Sequence, residues 1–167
     1  MILFLAIYVL GFLLFFLHLF LLPKHQRTLA RISELLLLYQ LVLGVGLTSL
    51  IAFGALTFDG TFVANFMSWP ECPFQQELAN VNLSFGLLGI LCIWFRGLFW
   101  MATVLGFSFW IFGDGIHHLY NVLFEGYNSD GKISAILYTD LFSPIVLVVM
   151  LGFYLFANRS VKQNKGQ

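Results

Sequence analysis

Long apolar stretches alternate with short polar segments along the whole of this chain. The stretches are Ile2–Leu22, Leu35–Phe58, Leu78–Phe95, Leu98–Gly113 and Leu141–Ala157. A bilayer core is about 30 Å thick and a helix rises about 1.5 Å per residue, so about 20 residues cross it. The pattern therefore predicts an all-α fold, an integral membrane bundle of five transmembrane helices that forms a single domain over residues 1–167.

The third and fourth stretches are separated only by Arg96 and Gly97. As a single helix they would measure about 54 Å, which is too long for one crossing. The chain is therefore expected to reverse at Arg96-Gly97 in a tight helical hairpin. Trp94 and Trp100 flank this turn and are expected to anchor it at the membrane interface.

Positive charge is sorted to one side of the predicted bundle. When the stretches are threaded alternately, one side receives Lys24, Arg27, Arg31, Arg96, Arg159, Lys162 and Lys165, and the other receives only Lys132. Because positive loops stay in the cytoplasm, we predict the N-terminus outside and the C-terminus inside. Positive charge follows the first span rather than preceding it, so we expect this span to be retained and not cleaved as a signal peptide.

Composition excludes a soluble globular protein and changes little else. Hydrophobic residues make up 60% of the chain and charged residues 10%, and the formal net charge is zero. Such a chain has too little polar surface for water and takes the lipid bilayer as its partner. It contains no dense basic run, so we expect no binding of nucleic acid.

Four local patterns predict how the helices pack. Small residues such as Gly44 and Gly46 indicate close packing of the second span, and His18 is expected to form a hydrogen bond between helices. Cys72 and Cys92 should lie about 30 Å apart, which excludes a disulfide between them. Ser143-Pro144 interrupts the last span, and we favour a longer helix that continues through the proline.

One polar constellation carries candidate chemistry. Glu77, Asn80 and Ser84 share a face of the third span, and the fourth span carries Asp114, His117, His118 and Asn121. In an antiparallel hairpin, residues equally distant from the turn lie at the same depth, so Glu77 and His117 should meet near the outer surface. Gln75 should lie just above them. Asp140 and Glu125 could join this constellation from the last helix, but we favour their interpretation as ordinary interfacial charges.

This constellation admits several uses, which the sequence leaves open. Glu77, Asp114, His117 and His118 have the ligand types for a divalent metal. The same groups are suited to proton transfer, because histidine changes its charge near neutral pH. The set Gln75, Glu77, Asn80, Asp114, His117 and His118 could instead bind a lipid headgroup, a quinone or another small ligand. A purely structural arrangement is also open, in which Asp114 pairs with a histidine and Glu77 stabilises a helix N-terminus.

At these residues the chain resembles an uncharacterised family of small bacterial multipass membrane proteins. The resemblance rests on Trp69-Pro70-Glu71-Cys72-Pro73-Phe74-Gln75-Gln76-Glu77, followed by Gly86, Gly89, Gly113-Asp114 and His117. It covers about Trp69–Asn121, and Cys72 stands where the family usually has serine. The resemblance implies a bacterial membrane protein and singles out Pro73, Phe74, Gln75, Glu77, Asp114 and His117, but it implies no activity. We expect the protein in the cytoplasmic (inner) membrane.

Three functions follow as hypotheses. The first is a small membrane protein whose outer site binds a cation, proton or small ligand, as a transporter or an accessory subunit. The second is a membrane-embedded metal- or quinone-dependent oxidoreductase. The third is a structural subunit of a larger membrane complex. Five helices without inverted repeats are few for a monomeric transporter, so transport would require a homo-oligomer or a larger complex.

Overall fold

The computed structural model describes residues 2–67, 70, 72–124 and 132–164, and this part of the chain contains helices and no strand. The α-helices are α1 (Ile2–Leu21), α2 (Leu29–Tyr39), α3 (Thr48–Phe58), α4 (Gly60–Met67), α5 (Phe74–Leu91), α6 (Leu98–Phe124) and α7 (Lys132–Asn164). A 3₁₀ turn, Lys24–Gln26, precedes α2, and a π-helical segment, Gln40–Leu47, joins α2 to α3. Trp69, Glu71, Glu125, Asp130 and Lys165 lie outside the described residues.

Within the described residues, four segments are long and apolar enough to cross a membrane. They are Leu3–Leu21, Leu29–Phe58, Leu98–Phe124 and Thr139–Arg159, and the second of them runs without interruption through α2, the π-helical segment and α3. Together with the composition, these segments confirm that the chain is an all-helical integral membrane protein. The 18-residue helix α5 carries four amide side chains and one carboxylate, and it is not among the four.

Two helices are longer than the apolar stretches that predict them. α6 continues beyond Gly113 to Phe124, because Ile116, Leu119 and Leu123 extend its apolar surface. α7 runs through Pro144, as the longer of the two alternatives predicts. The Asp114–His118 segment therefore lies within a helix and not at its end.

The second span packs against α5 through glycines, as its small residues predict. A Cβ atom added to Gly89 would lie 2.5 Å from Gly46 Cα and 2.7 Å from the Leu41 carbonyl oxygen. One turn earlier, Gly86 makes room for the Leu50 side chain, whereas Gly46 and Gly89 meet backbone to backbone. The backbones of the two helices can approach this closely only because neither carries a side chain at the crossing.

The chain turns between α5 and α6 where the sequence predicts a break. Gly97 adopts a φ of 67° there, a conformation that glycine adopts without a steric penalty. Trp94 is 66% exposed, as an interfacial anchor should be, but the same prediction for Trp100 is wrong. The Trp100 side chain is fully buried and its indole donates a 2.9 Å hydrogen bond to the Cys92 carbonyl.

The core lies between α2, the π-helical segment, α6 and α7. Its buried residues include Leu37, Leu41, Val45, Trp100, Val104, Phe107, Leu147 and Leu151. His18 joins α1 to α2 through a 3.0 Å contact between its Nδ1 and the Tyr39 hydroxyl, which confirms its predicted role. Cys72 is exposed and Cys92 is buried, and both are free thiols, as predicted.

Candidate functional site

Helices α6 and α7 approach each other closely beside Asp140. Gly115 is buried at this contact, and a Cβ atom added to it would lie 2.9 Å from Leu141 Cδ2 and 3.2 Å from the Asp140 carbonyl carbon. Gly113, two residues earlier, has no atom within 4 Å of the corresponding position. The absence of a side chain at position 115 therefore brings the Asp140 backbone against α6.

Four ionisable side chains gather at this approach, and we call them the acid–imidazole cluster: Asp114, His117, His118 and Asp140. His118 Nε2 lies 3.9 Å from Asp140 Oδ2, and these side chains are only 21% and 19% exposed. Asp114 interacts electrostatically with Asp140 and with His117. His117 is exposed, and its Nε2 lies 3.3 Å from the Asn121 amide nitrogen. The cluster thus connects a half-buried carboxylate to an exposed imidazole.

Asp140 also lines a pocket of about 430 Å³, which we call the Asp140 pocket. Its apolar walls include Phe4, Phe62, Phe66, Phe107 and Ile111. Its polar lining comes from Tyr8, Thr48, Ser49, Asn82, Thr139, Asp140 and Ser143. This volume lies within the range of small-molecule sites, which are mostly apolar with a few polar groups that fix orientation.

Polar neighbours fix the orientation of Asp140 and Tyr8 within the pocket. The Thr139 hydroxyl lies 3.5 Å from Asp140 Oδ1. The Ser143 side chain lies near the Tyr8 hydroxyl, and Asp140 acts on Tyr8 electrostatically. A carboxylate, a phenol and two hydroxyls from α1 and α7 are therefore available to one ligand.

The short helix α4 forms one wall of the pocket. The Phe62 backbone N–H donates to Asp59 Oδ1 at 3.4 Å, which caps the start of this helix. Phe62 and Phe66 then stack with their ring centres 6.3 Å apart. Gln75 of α5 ties the wall in place, because its amide donates a 3.1 Å hydrogen bond to the Gly60 carbonyl. Of the predicted ligand-binding residues, Gln75 thus supports the pocket wall.

The other candidate residues of α5 lie apart from the cluster. Glu77 and Asn80 are exposed, and the Gln76 amide lies 3.5 Å from Asn80 Oδ1. Within the described part of the chain, no hydrogen bond or ion pair joins Glu77 to His117 or to His118. Glu77 does not reach the two histidines because of its position on α5. Gly86 faces Leu50 of α3, and Glu77, nine residues earlier, projects from the opposite side of the helix.

Metal binding by Glu77, Asp114, His117 and His118 stays a prediction. Among the described residues, no three His, Cys, Asp or Glu side chains are gathered in a way that could hold a metal ion. The contact between His118 and Asp140 is suited instead to the exchange of a proton or a cation. The imidazole and the carboxylate each change their charge by one when they gain or lose a proton.

Gln40 is a buried polar residue that the sequence analysis did not single out. Its side chain is 1% exposed, and its Nε2 donates a 3.4 Å hydrogen bond to the Tyr8 carbonyl. Its Oε1 has no hydrogen-bond donor among the described residues. Gly11 and Gly44 leave the space that this side chain fills.

The comparison with protein families gives one result. The profile of one family matches residues 1–160. The chain belongs to DUF6790, a family of unknown function. The match over residues 1–160 extends far beyond Trp69–Asn121, the region that carries the sequence motif. No functionally curated protein and no solved structure matches the chain.

The role of Asp140 in the pocket, and that of its partners Tyr8 and Ser143, goes beyond what the sequence predicts. A signal was present, since Asp140 and Ser143 stand three residues apart on an otherwise apolar helix and therefore share a face. The contribution of Tyr8 had no such signal. A tyrosine in an apolar first span equally suits an interfacial anchor.

Proposed function

We propose that this DUF6790 protein binds a small amphipathic cation in the Asp140 pocket and exchanges it for a proton, as a transporter or an accessory subunit of one. The observation that carries the proposal is the double position of Asp140, which lines the pocket and pairs with His118 in the acid–imidazole cluster. The aromatic walls suit the apolar part of such a ligand, and ring faces attract a cation.

The exchange follows from charge balance. Without ligand, the pair formed by His118 Nε2 and the Asp140 carboxylate, which lie 3.9 Å apart, holds one proton between them. A cation that enters the pocket pairs with the Asp140 carboxylate, so the His118–Asp140 pair releases this proton. His117 and Asn121 lie on the exposed side of the cluster and offer the proton a way out. Each ligand cation bound is thus matched by one proton released.

Equilibrium dialysis of the purified protein with tetraphenylphosphonium tests this proposal. The matched probe is tetraphenylborate, which has the same shape and the opposite charge. We expect the cation alone to bind, and Asp140→Asn to weaken its binding by about tenfold or more, as the loss of a desolvated charge partner does. Asp59→Asn is the control, because Asp59 does not line the pocket and asparagine caps α4 as well as aspartate does.

Two results would contradict cation binding. Equal retention of both probes, unaffected by Asp140→Asn, would indicate a merely apolar cavity. Retention of neither probe would leave the structural-subunit hypothesis in place of the binding one.

A quinone is the second candidate ligand. Aromatic walls next to the Tyr8 phenol suit a planar ring with carbonyl acceptors, since the phenol can donate a hydrogen bond. In this case a short-chain ubiquinone should bind to the wild type and to Asp140→Asn alike, and Tyr8→Phe should weaken it. The metal- or quinone-dependent oxidoreductase then becomes the better hypothesis.

The topology supports a site in the outer half of the membrane. We infer five crossings with the N-terminus outside and the C-terminus inside, in the bacterial cytoplasmic membrane. Arg96 Nη1 contacts Glu34 Oε1 at 2.8 Å, so the chain after α3 must return to the end at which α2 begins. The 18 residues of α5 cover about 27 Å, which suffices for that return.

Thiol labelling of intact cells tests this orientation. A membrane-impermeant maleimide can reach exposed Cys72 but not buried Cys92. Labelling of the wild type therefore shows on which side of the membrane Cys72 lies, and Cys72→Ser is the control. We expect labelling from outside. Labelling only after permeabilisation would reverse the orientation.

A homo-oligomer is part of this proposal. Gln76, Glu77, Asn80 and Ser84 form an exposed polar stripe on α5, and membrane helices bury such stripes against other helices. In a Cys72→Ser background, Asn80→Cys should crosslink two copies on oxidation in native membranes. Gly152→Cys is the control, because Gly152 is exposed on α7. Crosslinking of both variants, or of neither, would contradict association through α5.

A further inference from the structure

Two arginines share one carboxylate at the end of the bundle opposite the Asp140 pocket. Arg31 Nη1 lies 2.8 Å from Glu34 Oε2, and Arg96 Nη1 lies 2.8 Å from Glu34 Oε1. The first pair lies within α2, while the second joins α2 to the turn before α6. Because both guanidinium groups contact the same carboxylate, they are held side by side.

Arg96 is held by more than this ion pair. Its guanidinium lies over the Trp100 ring, with Cζ 4.8 Å from the ring centre. Its Nη2 also donates to the Ile93 carbonyl at 3.4 Å. Trp100 is itself fixed, since its ring is buried and its indole is bonded to the Cys92 carbonyl. The position of this arginine is thus set in advance by the core.

The arrangement retains one positive charge and several hydrogen-bond donors. Two guanidinium groups and one carboxylate leave a formal charge of one. Each guanidinium carries five N–H donors, and the described contacts use one of those of Arg31 and two of those of Arg96. The side chains of Arg31 and Arg96 are 41% and 38% exposed, so the remaining donors can reach a ligand.

Large apolar side chains surround these arginines. Trp94 and Phe95 next to Arg96 are 66% and 54% exposed, and Leu98, at the start of α6, is 79% exposed. Leu29, at the start of α2, is 51% exposed. In the membrane these side chains contact lipid acyl chains, so the phosphate closest to the two arginines is that of a lipid headgroup.

We propose that Arg31 and Arg96 bind the phosphodiester headgroup of an anionic phospholipid, with its acyl chains over the exposed side chains of the α5–α6 turn. The guanidinium fork matches two phosphate oxygens and is well suited to phosphate recognition. A single negative headgroup charge balances the charge that Glu34 leaves uncompensated. Basic pockets between helices at the membrane surface bind anionic lipids in this way.

Native mass spectrometry of the full chain tests this site. The purified protein is mixed with equal amounts of phosphatidylglycerol and phosphatidylcholine, and the bound fraction of each lipid is measured. We expect the wild type to retain phosphatidylglycerol preferentially. Arg31→Gln and Arg96→Gln should each reduce this retention by about fivefold, the effect of one basic residue near anionic lipid.

Arg159→Gln provides the control, because Arg159 is an exposed arginine on α7 and is not one of the two arginines that pair with Glu34. An equal loss in this variant would indicate non-specific surface charge and would overturn the proposal. Displacement of the lipid by millimolar inorganic phosphate would overturn it in favour of a free anion. Arg31→Gln keeps the assay decisive if Arg96→Gln fails to fold, since Arg31 has no contact with the buried Trp100.

Discussion

Gly115 offers the sharpest test of how the acid–imidazole cluster is assembled. In Gly115→Ala, the new methyl group would lie 2.9 Å from Leu141 Cδ2 and 3.2 Å from the Asp140 carbonyl carbon. Favourable contacts between carbon atoms lie at about 3.5–4.0 Å. The Leu141 side chain can rotate away, but the Asp140 backbone can yield only if α7 moves outward by several tenths of an ångström.

The expected cost follows from this overlap. Overpacking of a close contact costs about 1–3 kcal/mol, and alanine returns up to about 1 kcal/mol of helix propensity relative to glycine. With the full helix-propensity gain, Gly115→Ala should therefore lower the free energy of unfolding by roughly 0–2 kcal/mol. Gly113→Ala is the matched control, because it meets no atom within 4 Å and should gain up to about 1 kcal/mol.

Thermal unfolding of both variants in the same detergent measures the difference. The two variants should differ by the overpacking cost of about 1–3 kcal/mol, and at about 2–4 °C per kcal/mol for a chain of this size their midpoints should differ by roughly 2–12 °C. Gly115→Ala should also weaken tetraphenylphosphonium binding, because it moves Asp140 away from His118. Equal stability and equal binding of the two variants would refute the conclusion that Gly115 positions Asp140.

Three further predictions concern the helix packing, and each is read from thermal unfolding in detergent. Gly89→Ala should lower the free energy of unfolding by about 3 kcal/mol, the upper end for overpacking, because backbone atoms block the new methyl group. Gly54→Ala is its control and should be neutral or stabilising, since the methyl group meets nothing within 4 Å. A Gly54→Ala variant less stable than Gly89→Ala would contradict the close approach of the second span to α5. Gln40→Met should be neutral or stabilising, since it removes a buried oxygen without a donor, whereas a large loss would reveal an unrecognised partner. Tyr39→Phe should cost about 0.5–1.5 kcal/mol by removing the hydroxyl bonded to His18, and no loss would argue against that bond.

The sequence predicted those features of the fold that depend on the length and local chemistry of one segment. Apolar stretches long enough for a bilayer became long helices, and the break at Gly97 lies where two of them would otherwise fuse. His18 and the glycines of the second span also met their predicted roles. In each case the chemistry of the segment itself leaves few alternatives in lipid.

The candidate site was harder to predict because it depends on which helices become neighbours. A helical period shows that Glu77 and Asn80 share a face, but not which helix covers that face. Glu77 lies on the exposed side of α5, while Asp140, interpreted as an ordinary interfacial charge, lines the pocket and pairs with His118. The α4 wall was also missed, because an eight-residue helix is too short to give a distinct apolar pattern.

The π-helical segment Gln40–Leu47 affects how this chain tolerates changes in its length. Its hydrogen bonds reach one residue further than those of an α-helix, so the segment contains a residue that an α-helix would not need. Loss of one residue here can be absorbed by a return to α-helical bonding, which leaves Thr48 and Ser49 facing the pocket. The same deletion in α2 would turn every earlier side chain by about 100° relative to the later ones and would misalign Glu34 with Arg96. Natural variation in the length of the second span should therefore concentrate between Gln40 and Leu47.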